Sequence, residues 1–562
     1  MFTLRSRHLL LAFVLGPAHP MVGQQTARIV ILGGGFGGVA TAKELRRLTR
    51  GDESIEVHLV NDENYFVFQP LLAEVVSCGI EPVHILNPIR QLCPGVQFHC
   101  GIVSHLDRDA RTVTVMSGDE KRLRKLPFDH LIWSIGLKTD FSRVPGMSEH
   151  AYPLKTLGDA FHLRNQILLH LEEADQETDE ALREKDLTLV TIGGGYSGVE
   201  TVAELHDMMK TVLPFYPRAA RTGHRAILIH SGDRILHELD PGLSAFAQSK
   251  LEARGVQVRL RVRVEEVSDG GVTLSTGEMI RAGIVICTVG NSPHPLVPKM
   301  GLSQEGGRIQ TDEYLRIPNA LNLWAVGDAA LIPDLERGGV CPPTAQYAMR
   351  QGAHCAKNIL ATIKGDVLRP FRFGGVGQMA SIGRRTAVGR VFGVRIAGFL
   401  AWLLWRAVYL AKVPGLRCKV RVATDWALDL LFPRDIAKID LRRTEQLARA
   451  HYREGDVIVR QGEIGDHFYI IESGQVEIIR ENPGEPPKSL GVRGAGTSFG
   501  EIALLKDAPR TATVRCLTPV DVLKFARHDF LTLTRSHDAI RTLLEKEAQA
   551  VLEKEAQSGV KA

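Results

Sequence analysis

Apolar residues change spacing repeatedly along the chain, and glycine clusters mark the changes. Arg28 to Leu32 is a short apolar run that meets Gly33-Gly34-Gly35-Phe36-Gly37-Gly38, and from Val39 to Leu48 the apolar positions recur at helical intervals. The arrangement returns later: Leu187 to Ile192 runs into Gly193-Gly194-Gly195-Tyr196-Ser197-Gly198, followed by helical spacing from Val199 to Met209. A third apolar strand, Leu321 to Val326, ends in Gly327-Asp328-Ala329. From Ile396 to Trp405 there are ten residues without charge, which read as part of a helix. After Glu454 the pattern shortens to alternating strands broken at Gly455-Asp456, Gly462, Gly465-Asp466 and Gly474, the outline of an antiparallel β roll. Asp538 to Gln557 has the Glu and Lys spacing of a solvated helix.

The two glycine clusters have a chemical meaning in this setting. Between a strand and a helix, Gly33 and Gly193 permit a tight turn, Gly35 and Gly195 let a pyrophosphate approach the backbone, and Gly38 and Gly198 let helix and strand pack closely. The helix start supplies amide donors and a positive dipole end to the phosphates. Two dinucleotides in one chain imply electron transfer between them, so FAD is expected on the first unit and a nicotinamide nucleotide on the second. Gly327-Asp328-Ala329 resembles the second flavin segment of two-dinucleotide flavoproteins, and that resemblance makes Asp328 the candidate for the ribityl chain of the flavin, with a solvent-facing turn Asp as the plainer alternative.

Composition excludes several classes. With 562 residues, 44% hydrophobic and 24% charged, the chain holds several globular domains and is neither collagen-like nor wholly disordered. Lys+Arg 69 against Asp+Glu 64 leaves +5, too balanced to indicate nucleic acid. The eight cysteines form no Cys-x-x-Cys pair, which argues against a zinc finger and for reduced thiols; no metal is expected. Cys78 stands alone where a flavin-linked disulfide reductase needs a pair. Arg5, Arg7 and the run Leu9 to Leu15 have the outline of an export signal but no convincing cleavage site; a start at Met21, which leaves every domain intact, is the favoured alternative.

Residues 27 to 435 resemble the type II NADH dehydrogenases, single-subunit FAD-dependent NADH:quinone oxidoreductases. The resemblance rests on Asn64-Tyr65-Phe66-Val67-Phe68-Gln69-Pro70-Leu71-Leu72, Pro343-Thr344-Ala345-Gln346-Tyr347-Ala348, Ser381-Ile382-Gly383-Arg384 and Phe399 to Arg406, in that order. It implies oxidation of NADH and two-electron reduction of a membrane quinone, without proton pumping. It makes Glu200 and Gln346 the catalytic candidates and puts Ala345, Gln346 and Arg350 at the quinone pocket. A first-turn helix acid and an ordinary polar helix residue are the plainer readings of Glu200 and Gln346. The chain departs from the family at three places. Asn61 stands where an acid usually holds the adenosine ribose of FAD, His230 stands at the matching place of the second unit, and Arg350 replaces a frequent glutamine. An acid at position 230 would bind the ribose 2′-hydroxyl and repel a 2′-phosphate, so its loss leaves NADH against NADPH open.

Between Arg384 and Arg421 there are nine basic residues and no acid. The uncharged run among them is half of the ~20 residues a spanning helix needs, so the segment is expected to lie on an anionic membrane surface with Trp402 and Trp405 as anchors. The expected location is the cytoplasmic face of the plasma membrane. A homodimer is the open alternative to a monomer.

Phe499 to Leu505 and Pro509 to Val514 resemble the phosphate cassette of cyclic nucleotide-binding domains. That resemblance assigns the cyclic phosphate to Gly500 and Arg510, the ribose hydroxyl to Glu501, and contacts to Thr511 and Ala512, with cAMP or cGMP as effector. The expected fold class is therefore α/β, with two Rossmann-like domains, amphipathic membrane-facing helices and a β roll. Its divisions are an extension at 1–26, an FAD domain at 27–186 and 316–380, an inserted nicotinamide domain at 187–315, a membrane-associating segment at 381–435, and the cyclic nucleotide domain with its terminal helix at 436–562. Two rival functions stay open: a sulfide:quinone oxidoreductase using Cys287 or Cys341, and a redox-sensing signalling protein without turnover.

Overall fold

The computed structural model describes residues 26–526 except 119–121, 143, 290, 293, 384, 439–447, 464, 466, 482–485 and 506–508. The extension at 1–25, Arg384 and the helix expected over Asp538 to Gln557 lie outside the described residues. Two compact units divide the chain, Met1–Lys438 and Ile439–Ala562.

The first unit is built on two parallel five-stranded sheets. The first contains β1 (Ala27–Leu32), β2 (Ile55–Asn61), β3 (Gln97–Cys100) and β4 (His130–Trp133). The second consists of β5 (Tyr152–Pro153), β6 (Thr188–Ile192), β7 (Arg225–His230), β8 (Gln257–Leu260) and β9 (Ile284–Cys287). A late strand, β10 (Leu323–Ala325), returns to complete the first. Their orders are β10-β4-β1-β2-β3 and β5-β9-β6-β7-β8. Four strands of the second sheet, β9-β6-β7-β8, repeat β4-β1-β2-β3 of the first, while the remaining edge strand comes last in the chain in the first sheet and first in the second. Ile29, Val30, Ile31 and Leu32 have no exposure at all, which is why β1 reads as a continuous apolar run rather than an alternating one: both of its faces are buried.

Helix α1 (Phe36–Leu48) follows β1, and the helices that position the site further along are α2 (Leu72–Val76), α3 (Leu157–Gln176) and α4 (Tyr196–Val212). Thr156 and Asp159 form a capping box that starts α3. Backbone pairing between the halves crosses outside the 187–315 range. Tyr152–Pro153 already belongs to the second sheet, and Asn291–Ser292 pairs back with Lys138–Thr139. Two-residue strands carry no periodicity, so the pattern of apolar positions does not mark them.

Beyond α5 (Ala345–Lys364), the strands Gly377–Ser381, Ala387–Val391 and Val394–Gly398 form an antiparallel sheet, followed by α6 (Phe399–Lys412) and α7 (Leu416–Leu431). Two expectations are corrected here. The uncharged run from Ile396 is not one helix, because Ile396, Ala397 and Gly398 finish a strand and the helix begins at Phe399. Trp402 and Trp405 are not surface anchors: they are 5% and 2% exposed and join the main core, with Trp405 stacked on Tyr409 at 4.4 Å. The exposed apolar residues of α6 and α7 instead include Phe399, Leu400, Leu403, Leu404, Leu416 and Val420. No helix among the described residues is long and apolar enough to cross a membrane.

The second unit pairs two four-stranded antiparallel sheets. One orders Ala448–Tyr452, Val520–Ala526, His467–Ser473 and Ser498–Phe499; the other orders Val457–Val459, Thr513–Cys516, Gln475–Arg480 and Lys488–Gly494. Val459, Ile471, Val476, Val514 and Val522 fill the space between them. This is the expected β roll.

Candidate functional site

The two glycine turns are built alike. Gly33 has φ 101° and Gly193 φ 120°, and a Cβ at Gly33 would lie 2.5 Å from the Ser134 carbonyl oxygen. Each helix rests directly on its turn: a Cβ would fall 1.9 Å from the Gly33 carbonyl oxygen at Gly38 and 1.8 Å from that of Gly193 at Gly198. Gly35 and Gly195, by contrast, face nothing within 4 Å. They are the N-caps of α1 and α4, and neither helix has a side-chain cap. The first turn of each helix therefore has no side-chain acceptor and opens beside a glycine with free space around it, the geometry that receives a pyrophosphate. The residue after β4 and the residue after β9 lock the two turns: the Ser134 hydroxyl donates to the Leu32 carbonyl at 2.7 Å, and that of Thr288 to the Ile192 carbonyl at 2.9 Å.

Asn61 and His230 share one role. The Gly34 N–H donates to Asn61 Oδ1 at 2.7 Å, and the Gly194 N–H donates to His230 Nδ1 at 3.2 Å. The Asn61 amide then donates to the Glu63 carbonyl at 2.8 Å. Both residues hold the middle glycine of a turn, a task that the sequence pattern does not reveal.

Asp328 lies in the turn Gly327–Ala329. Burial raises its pKa, while Lys155 and Arg308 act in the opposite direction. Helix α5 packs on α1 so closely that a Cβ at Gly352 would stand 2.3 Å from the Gly37 carbonyl oxygen, and Gln351 Oε1 accepts from the Gly327 N–H at 3.0 Å. At the start of α5, Ala345 is half-buried and Gln346 Nε2 donates to the Gly377 carbonyl at 3.2 Å. Gln346 Oε1 is buried without a hydrogen-bond partner. Arg350 lies 4.1 Å over the Phe373 ring and donates to the Gln346 carbonyl at 3.0 Å.

Glu200 is 8% exposed, and its Oε1 accepts from the Ser381 N–H at 3.0 Å, which ties α4 to the C-terminal sheet. Burial first, and Glu74 after it, push its pKa up to about 8. Glu74 is buried too, accepts from Trp426 Nε1 at 2.5 Å, and shifts the same way for the same first cause. Beside them, Arg434 forms ion pairs at 3.0 Å with Glu204 and with Asp429, and donates to the Ser77 carbonyl at 3.0 Å. Burial works against the Arg434 charge, but the two carboxylates outweigh it and raise its pKa. Arg406 lies between the rings of Trp402 and Trp426, at 4.1 and 4.8 Å, so it is not part of an open basic face. Arg395 pairs with Asp240 at 2.6 Å.

The acid shifts carry a sign. Glu200 holds its proton in the folded chain up to about pH 8, whereas its ordinary value is 4.5, so between those limits the folded state binds more protons and stability falls as pH rises. Thermal unfolding measured from pH 5 to 9 is expected to show that decline, and Glu200→Gln, which keeps the acceptor for Ser381, is expected to make it shallower, with Glu74 supplying the remainder. An unchanged slope in the variant refutes the assignment.

Comparison with known proteins follows the same division. Residues 27–352 match the pyridine nucleotide-disulphide oxidoreductase model, residues 376–435 the NDH2 C-terminal domain, and residues 449–537 the cyclic nucleotide-binding domain. The demethylphylloquinone reductase NdbB of Synechocystis sp. is 33% identical over 406 residues, which is 71% of this chain and 95% of that protein. The chain belongs to the type II NADH dehydrogenase family. The type II NADH:quinone oxidoreductase Ndh of Mycobacterium tuberculosis is 28% identical over 76% of this chain and 92% of its own length. NDH2 of Plasmodium falciparum shares the fold with a TM-score of 0.68 at 19% identity, covering 74% of this chain and all of that one. The dehydrogenase unit thus accounts for the match to these proteins, and the β roll is an addition to it.

All eight cysteines are free thiols. Cys287 ends a strand of the second sheet, and burial raises its pKa. Cys341 is buried near Pro333, and burial pushes its thiol up to about 11. Neither is activated as a thiolate.

In the β roll, Arg510 donates to the Gly500 carbonyl at 2.8 Å and the His467 carbonyl at 2.6 Å, and is 5% exposed. Gly500 has φ 93°, and a Cβ there would stand 2.6 Å from Arg510 Nη1. Glu501 is buried at the start of the short helix Glu501–Leu505, Thr511 is exposed and Ala512 half-buried.

Proposed function

We propose that this chain oxidises NADH and reduces a membrane quinone through FAD held in the first glycine turn. The observation that supports this most directly is the repeat of an open, uncapped turn at Gly35 and Gly195 within one unit of the family. FAD, when bound, supplies the two-electron exchange between nicotinamide and quinone. The chain's own residues bind, orient and hold protons. Amides after Gly35 and Gly195 hold the two pyrophosphates, and Asp328 bonds the ribityl chain with Lys155 and Arg308 tempering its charge. Oxidising NADH while making a quinol consumes one proton from solution. Burial holds the Glu200 carboxyl protonated up to about pH 8, and Ser381 fixes its place through Oε1, so this side chain can carry a proton near neutral pH for that chemistry. Ala345, Gln346 and Arg350 line the quinone side, where the buried Oε1 of Gln346 is an acceptor for a quinol hydroxyl.

Anaerobic addition of NADH to the purified yellow protein should bleach the flavin band, and a quinone should restore it. A colourless protein that flavin cannot reconstitute, or a band that NADH leaves intact, removes the reading.

The apolar surface of α6 and α7 supports peripheral binding to a membrane. Leu400 is 77% and Leu416 78% exposed, with Arg417 on the same stretch of chain. Two fully buried leucines are worth about 3–6 kcal/mol in lipid. Leu400→Asp with Leu404→Asp should therefore lower cosedimentation with anionic vesicles by at least roughly tenfold while a water-soluble quinone is still reduced. Equal cosedimentation of both forms excludes this surface.

The β roll is read as a cyclic nucleotide site that regulates the dehydrogenase, with Arg510 and Glu501 as the phosphate and ribose contacts. Calorimetric titration of the full chain with cAMP and with cGMP tests binding. Turnover at saturating ligand tests control, which requires unequal affinity for two enzyme states.

A further inference from the structure

We infer that the second nucleotide site admits the 2′-phosphate of NADPH, with His230 donating to it from Nε2. The inference deepens the reading of that site as the nicotinamide site and rests on it. A backbone N–H can only donate, so the bond from Gly194 requires Nδ1 of His230 to be unprotonated and places the ring proton on Nε2. Burial also disfavours the charged ring, in the same direction. The side chain at the end of β7 is therefore a neutral donor. A carboxylate at this strand end accepts from the ribose hydroxyls and repels a phosphate, whereas an N–H donor serves a hydroxyl oxygen and a phosphate oxygen alike.

The equivalent strand end of the first sheet shows that this side chain has a second duty. Asn61 holds Gly34 in the same way that His230 holds Gly194, so both positions need an uncharged or ionised acceptor for the turn amide. Asn61 is already committed to Glu63 through its amide nitrogen. His230 Nε2 has no such bond among the described residues. The surrounding charges balance rather than exclude an anion. Asp233 and Glu238 act on the His230 ring with one sign and His237 with the other, and Arg261 joins the same loop through its backbone N–H, which donates to the Gly232 carbonyl at 2.9 Å. Position 230 then decides the sign that a 2′-phosphate meets.

The test compares NADPH with NADH in the full-length flavin-loaded protein and measures NADP⁺ and NAD⁺ binding by calorimetry. The wild-type ratio of kcat/KM for NADPH over NADH should lie within roughly tenfold of unity, and His230→Glu should lower that ratio by on the order of 100-fold, the scale of a like-charge contact. NADP⁺ binding should weaken in parallel. His230→Asn, which keeps an acceptor for the Gly194 N–H but removes the imidazole N–H, should weaken NADP⁺ binding and NADPH use several-fold, less than His230→Glu does, and cost NADH use less. The flavin spectrum of each variant reports whether it has folded. Oxidation of NADH with rejection of NADPH by the wild type overturns the proposal but leaves the nicotinamide site intact. Equal loss of both coenzymes in the glutamate and asparagine variants reduces His230 to a turn-holding residue and also overturns it. Failure to oxidise either coenzyme removes the underlying reading and the proposal with it.

Discussion

Gly38→Ala should yield a colourless protein with no measurable NADH oxidation, and Gly198→Ala should yield a yellow protein that NADH no longer bleaches. The two outcomes differ because the two turns serve different nucleotides. In each case a methyl group would be forced to within 2 Å of a backbone carbonyl oxygen, 1.9 Å at Gly38 and 1.8 Å at Gly198. No side-chain rotation relieves a contact between Cβ and backbone. The helix must back away by about 1 Å or more, and a shift of that size costs roughly 100-fold where reacting groups must be aligned. The absorption spectrum and stopped-flow bleaching distinguish the two variants. A yellow Gly38→Ala protein with normal turnover contradicts the assignment of FAD to the first turn.

Arg434→Ala should be the most destabilising single change in the dehydrogenase unit. Its guanidinium is 6% exposed and neutralises Glu204 and Asp429, which are 9% and 10% exposed. Removing it leaves two carboxylates in a dry interior beside Glu74 and Glu200. Breaking a buried pair costs about 3–5 kcal/mol because an uncompensated charge remains. The expected result is a lowered midpoint for urea unfolding of this unit, partly restored by combining the change with Glu204→Gln. A midpoint that does not move refutes the view of Arg434 as the neutralising centre.

The parts of this molecule that can be read from its sequence are those whose physics is local. Gly33, Gly35 and Gly38 fall within six residues between a strand and a helix, and the same spacing at Gly193, Gly195 and Gly198 predicts a second unit of like build. The turns are found where the spacing puts them. The carboxylate cluster is different: Glu74 meets Trp426 across 352 residues of chain, and Glu204 meets Arg434 across 230. No spacing rule joins residues so far apart, and their meeting depends on how α2, α4 and α7 pack. Trp402 and Trp405 show a third limit. An uncharged run rich in aromatic residues has one face in the core and one outside, and composition alone does not say which side chains take which. The large indoles fill the interior against Tyr409 and Trp426, and the leucines are left outside.

The Arg434 clasp also determines where the polypeptide can be cut. A fragment ending before residue 434 would lose the counterion for Glu204 and Asp429 and should be recovered as insoluble material. One ending at Lys438, the last residue of the first unit, retains all of these partners and should be recovered in soluble form.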